Sequence, residues 1–152
     1  MRITIAAVGR AKAGPELSLY DHFAARLQPP PDLREIAERK PLAEAERRRR
    51  EGRRLLDAVP KGAVVVALDE GGAALTSRAL AERLQGWDDD GRRDVAFLIG
   101  GADGLDGAVR RTADLVLAFG PATWPHMLVR GMLAEQLYRA QCIRAGHPYH
   151  RD

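Results

Sequence analysis

Cysteine is almost missing from this sequence: Cys142 is the only one in 152 residues. One thiol excludes an intrachain disulfide and any multi-cysteine metal cluster, and it fits a reducing compartment, where it is expected to be an inert packed residue. Lysine is scarce as well, with only Lys12, Lys40 and Lys61, so arginine supplies most of the positive charge. No apolar run reaches the roughly 20 residues of a membrane-spanning helix. The opening stretch has one arginine and a short apolar run before Gly9-Arg10, without the length or cleavage pattern of a signal peptide. Cytoplasm is the expected compartment. Catalytic signatures are missing too. There is no Gly-x-Gly-x-x-Gly, no Gly-Lys-Ser/Thr, no Gly-x-Ser-x-Gly and no His-Glu-x-x-His. His147 and His150 are separated by Pro148 and lack a carboxylate or cysteine placed to complete a site, so no metal is expected.

What is present begins with charge placement. The net charge is +3, but Arg39 to Arg54 hold eight basic residues against three acidic ones, a local +5 that leaves −2 for the remainder. A basic block on an otherwise balanced chain is the footprint of a phosphate-backbone contact, and it makes Arg47, Arg48, Arg49 and Arg50 candidates for RNA binding. The same residues also fit a solvated helix face with Glu44-Arg48 and Glu46-Arg50 pairs at i, i+4.

Hydrophobic patterning gives the fold class. Arg2 to Val8, Ala63 to Asp69, Asp94 to Gly100 and Asp114 to Phe119 read as strands, and Leu33 to Ala37 as a weak fifth. Continuously apolar runs such as AVVVALD and DVAFLIG are those of strands covered on both faces, as in a parallel sheet. Helical spacing places helices at Pro15 to Gln28, Leu42 to Val59, Thr76 or Ser77 to Trp87, Leu105 to Ala113 and His126 to Ala145. Strands alternating with helices predict a single-domain α/β fold over 1–152, an open parallel sheet with helices on both faces. Ligands of such sheets bind beyond the carboxyl ends of the strands. Leu68-Asp69, the GGADG run from Gly100 and the segment Phe119 to Trp124 therefore become the places to look. GGADG alone also fits a tight strand-to-helix turn.

The last residues, GHPYHRD, carry two histidines, a tyrosine and an arginine where chains usually fray. Such groups donate, accept, stack and titrate near neutrality, so the tail reads as part of a site. Together with LIGGADG (98–104), ATWPHMLVR (122–130) and EQLYRA (135–140), it resembles the signature of the SPOUT-class methyltransferases, specifically the RlmH family, which methylates N3 of a pseudouridine in bacterial large-subunit 23S ribosomal RNA. The resemblance covers nearly the whole chain and is most specific in its last third. It departs at Ala102-Asp103, where relatives commonly carry Pro-Glu, and at Gly120-Pro121 and Trp124.

The resemblance implies a carboxy-terminal trefoil knot with S-adenosyl-L-methionine held mostly by backbone groups at Leu68, Gly100, Phe119, Gly120, Pro121, Ala122, Thr123 and Trp124. It further implies a homodimer with a composite site, whose tail reaches the neighbouring subunit's cofactor pocket, and large-subunit ribosomal RNA in assembled ribosomes as partner. Methyl transfer from a sulfonium is an in-line displacement that needs alignment and removal of the imide-like N3 proton, and no covalent protein nucleophile. His126, Glu135, Tyr149 and His150 are candidates to polarise or deprotonate the base. Arg130, Arg139 and Arg151 are candidates to hold phosphate or a base carbonyl. Plainer roles also fit: Glu135-Arg139 as an i, i+4 surface pair, Tyr138 and Trp87 as packing, His126 as a helix-start residue. Competing functions are a non-catalytic ribosome-associated RNA-binding factor and an enzyme of the same fold acting on another RNA.

Overall fold

The computed structural model describes residues 1–37 and 39–152. Along the chain run β1 (Arg2–Val8), α1 (Pro15–Ala24), β2 (Asp32–Ile36), α2 (Glu44–Asp57), β3 (Val64–Ala73), α3 (Ser77–Asp89), β4 (Asp94–Ile99), α4 (Gly107–Thr112), β5 (Leu115–Leu117) and α5 (His126–Ala145). The five strands form one sheet in the order β2-β1-β4-β3-β5, and every pairing is parallel. All strands therefore end at one edge. The apolar runs that predicted burial on both faces occupy the middle: Ile5 to Val8, Val64 to Leu68 and Val95 to Ile99 are buried.

Two cores flank the sheet. On one face α1, α3 and α5 place Tyr20, Leu80, Leu84, Leu133 and Leu137 against Ile5, Val66 and Phe97. On the other, α2 and α4 place Leu55 and Val109 against Val8, Val65 and Leu98. Cys142 lies buried on α5, and Trp87 packs against the larger core.

Helix ends follow local chemistry. Thr76 caps α3 by accepting the Ala79 amide at 3.1 Å. Pro15 opens α1, where its missing N–H costs nothing. At the far end of α5, Gly146 is left-handed (φ 70), with its amide on the Ile143 carbonyl and the His147 amide on that of Cys142. These paired contacts form a Schellman turn, which folds the tail back along its own helix.

The expected elements are present, with shifted ends. α1 stops at Ala24, and tighter turns carry the chain to Leu27, which is buried. β3 extends beyond the expected Asp69 to Ala73, with an irregularity between Leu68 and Ala73 where it rejoins β5. In that extension a Cβ on Gly72 would stand 2.6 Å from the Val116 carbonyl oxygen. The glycine marks a close backbone approach, as isolated strand glycines do.

Candidate active site

A cleft of about 780 Å³ opens at the strand-end edge, between the carboxyl-terminal part of β3, the segments following β4 and β5 and the start of α5. That size suits a small-molecule site, about 300 to 1,000 Å³. Leu68, Gly100, Phe119, Gly120, Ala122, Thr123, Trp124 and His126 all line it. Pro121 belongs to the same loop but is exposed, outside the lining.

Each wall has a local cause. Gly104 is left-handed (φ 79) and its amide bonds the Gly101 carbonyl at 3.0 Å, closing a tight turn. A Cβ on Gly100 would lie 2.9 Å from the Gly104 backbone, so both the turn reading and the cleft reading of GGADG apply. Opposite, Trp124 donates its indole N–H to the Phe119 carbonyl at 2.9 Å, bending the loop around Gly120 (φ 89) and leaving the ring 43% exposed. Thr123 donates to Glu70, tying this loop to the extension of β3. Among the described residues, the amides of Gly120, Ala122, Thr123 and Trp124 donate no hydrogen bond. The loop thus leaves backbone donors open to a ligand.

Charged groups line the cleft as well. Asp69 accepts from the Gly71 amide at 3.0 Å and from Arg110 at 2.8 Å. Burial works against ionisation of Asp69, but those two donors outweigh it and hold its carboxyl below the ordinary carboxylate range. His126 is shifted down, first by burial and then by the nearby Arg130 cation, so its imidazole is neutral at physiological pH.

Family comparison decides what this cleft belongs to. The family model described as "Predicted SPOUT methyltransferase" matches residues 1–150. A protein of Paramagnetospirillum magneticum named "Ribosomal RNA large subunit methyltransferase H" is 58% identical over 151 residues, 99% of each chain. One of the same name from Rhodospirillum centenum is 60% identical over 151 residues, again 99% of each. This chain belongs to the RlmH family of SPOUT methyltransferases. Among solved structures, a probable methyltransferase from Bordetella pertussis Tohama I superimposes with a TM-score of 0.59 at 16% identity, covering 91% of this chain and 95% of its own. At that identity it supports the SPOUT fold alone.

In this SPOUT methyltransferase the other expected site residues gather elsewhere. Glu135 and Arg139 form a close ion pair on α5, at 2.5 Å. Tyr149 donates to Glu135 at 3.0 Å, and its ring lies under the Arg139 guanidinium, 4.8 Å to the centroid. His150 Nδ1 meets Arg139 at 3.2 Å, and its Nε2 meets Asp152 at 3.0 Å. Asp152 also receives Arg78 of α3. Burial, followed by the bond to Glu135, raises the Tyr149 phenol above its usual value, so it keeps its proton and acts as a donor. Tyr138 packs edge-on against Tyr149 at 4.8 Å. Arg151 is exposed. Glu135 stands nine residues beyond His126, about 14 Å along the helix axis, and the tail cluster lies outside this cleft.

The arginines divide. Arg48 lines the cleft and pairs with Glu44 at 3.5 Å; Arg49 and Arg50 pair with Glu46 at 2.5 and 3.2 Å. Arg47 reaches Asp103 at 3.4 Å, linking α2 to the glycine turn. Arg130, expected to meet RNA, is 2% exposed and faces inward instead. Its guanidinium donates to Glu35 at 2.7 Å, to the Val8 carbonyl at 3.2 Å and to the Gly9 carbonyl at 2.9 Å. Nothing in the sequence signals that contact, because Glu35 lies 95 positions away on the weakest strand.

A second, apolar groove of about 490 Å³ runs beside α5, lined by Leu19, Phe23, Leu75, Met132 and Gln136 among others. Among the described residues, no group of three metal-ligating side chains forms and no helix is long and apolar enough to cross a membrane.

Proposed function

We propose that this chain methylates N3 of a pseudouridine in bacterial 23S ribosomal RNA, using S-adenosyl-L-methionine, on assembled ribosomes in the cytoplasm. The observation that carries the reading is the strand-end cleft in a chain 58% identical, over 99% of its length, to a protein named for large-subunit ribosomal RNA methylation. The residues fit the cofactor: glycine walls admit close approach, and the Gly120 to Trp124 loop presents amides that have no other partner among the described residues. Leu68, Gly100 and Phe119 to Trp124 would hold it, with the chain knotted around them as in the family.

The bound cofactor supplies a sulfonium methyl group for in-line displacement. The chain itself aligns the nucleophile and removes its proton. His126, neutral and at the cleft wall, accepts the N3 proton. Glu135, Arg139, Tyr149, His150 and Arg151 form a prebuilt cluster that serves the cleft of a second copy, orienting the base through its carbonyl groups and a phosphate. The apolar groove beside Met132 supports a homodimer, since burying it requires another surface.

The test is transfer of labelled methyl from S-adenosylmethionine to ribosomes lacking the modification, by the intact chain and by a version ending at Gly146. Label at pseudouridine N3 that disappears on truncation is expected. Mixing a tail-truncated subunit with a Gly100 variant then checks the shared site, because heterodimers should regain one working cleft. Ribosome binding without cofactor binding or label would leave a non-catalytic RNA-binding factor. Cofactor binding without label would point to another RNA.

A further inference from the structure

The turn after β1 carries two cations, Arg10 and Lys12, that the reading of the basic block in α2 does not include. Because the sheet is parallel throughout, this turn, the segment after β2 and the start of α2 all emerge at the edge that holds the cleft. The turn is also next to His126: a Cβ on Gly9 would lie 3.6 Å from His126 Nε2 and 3.0 Å from the Met127 methyl group.

Two contacts fix its backbone, and an ion pair joins the side chains that make them. Glu35 Oε2 accepts the Ala11 amide at 2.6 Å and Arg130 at 2.7 Å, while Arg130 also holds the Gly9 carbonyl at 2.9 Å. Burial works against ionisation of Glu35, but Arg130 and the Ala11 amide hold its carboxyl below the ordinary carboxylate range. The clamp therefore keeps its charge at neutral pH. Its two cations contrast with Arg47 to Arg50, each of which has an acidic partner. Among the described residues neither Arg10 nor Lys12 forms an ion pair within 4 Å, and both are exposed. Exposed cations on a fixed turn, with no carboxylate in ion-pair contact although Glu35 lies within electrostatic reach of Arg10, are what a phosphate backbone engages at low ordering cost.

We propose that the Gly9 to Gly14 turn is a rigid RNA-backbone contact beside the cleft, with Arg10 and Lys12 binding phosphates that flank the target nucleotide. This rests on the RNA substrate proposed above and adds a second point of attachment to that of α2. Together with Arg48 of α2, which lines the cleft, this turn gives the RNA two points of attachment at the cleft edge.

The test is the double variant Arg10→Gln, Lys12→Gln, with ribosomes lacking the modification as the probe. Binding is measured by filter retention across a salt series, and methyl transfer is measured in parallel. Affinity is expected to fall roughly tenfold at physiological salt, and the slope of log K against log salt to shrink by about 1.4, as for two lost single-strand phosphate contacts. S-adenosylmethionine affinity and melting temperature should match the unaltered chain. An unchanged salt slope overturns the proposal, as does an equal loss on replacing the exposed Arg92 and Arg93 at the opposite edge. Weakened binding by the variant, in a protein whose unaltered form transfers no methyl, supports the surface and overturns only the reaction assigned above.

Discussion

The Tyr149 hydroxyl donates a 3.0 Å hydrogen bond to Glu135, fourteen residues earlier in the chain, so the end of the chain is bonded to the middle of α5. Arg139 completes the arrangement from above the tyrosine ring and along the same carboxylate. The Tyr149 part of the tail is thus held in advance of any substrate, which lowers the cost of ordering it on binding.

That arrangement predicts the effect of Tyr149→Phe. Losing a hydrogen bond to a charged group costs about 1.5 to 3 kcal/mol, or roughly 10- to 150-fold. The expected outcome is a loss of that size in kcat/KM for methyl transfer, with cofactor affinity unchanged. Steady-state kinetics and calorimetry check it.

Gly100→Ala should act at the other end of the site. Its Cβ would meet the Gly104 backbone at 2.9 Å, which nothing flexible relieves. Overpacking of this kind costs about 1 to 3 kcal/mol of stability. Cofactor affinity should fall at least about tenfold, because the turn can only relax by moving the cleft wall. Urea denaturation and equilibrium binding measure the two effects.

The Glu35–Arg130 clamp predicts an asymmetry. Glu35→Ala leaves Arg130 buried without its carboxylate, and breaking a buried pair in this way costs about 3 to 5 kcal/mol. Arg130→Met leaves a carboxylate that is 31% exposed and can rehydrate. It should therefore cost less. Paired urea melts test the order; equal losses would show that the buried charge is not the deciding term.

His126 gives the pH dependence. Burial and then Arg130 place its folded-state value below the ordinary 6.5, so the unfolded chain binds more protons in the interval between the two. Stability therefore rises as pH passes upward through that window and is lost as pH falls through it. Methyl transfer should follow the neutral imidazole, with an acid limb below about 6.5. Arg130→Met removes a neighbouring cation and should move that limb to higher pH, tracked by NMR titration of the His126 ring.

Much of this is legible in the sequence. Continuous apolar runs gave β1, β3 and β4, because a strand covered on both faces leaves no polar positions to blur the pattern. Helical spacing gave α5 its observed ends, and strand-end reasoning reached Leu68, Gly100 and the loop from Phe119 to Trp124, since parallel strands must end together. The i, i+4 pairs of α2 were also readable, being local.

What the tertiary structure alone decided is long-range. In sequence Arg130 looks like any other candidate phosphate ligand; only folding puts it against Val8, Gly9 and Glu35, and burial makes it a clamp instead. Gly72 carries no signal in sequence, and only the fold brings the Val116 backbone against it. The tail residues announced chemistry, but their partners depend on the Schellman turn reversing the chain at Gly146. Sequence by itself determined which segments are strands and helices and which residue types are available, because those follow from local periodicity. Which side chains meet depends on contacts tens of residues apart, and local pattern carries no information about those.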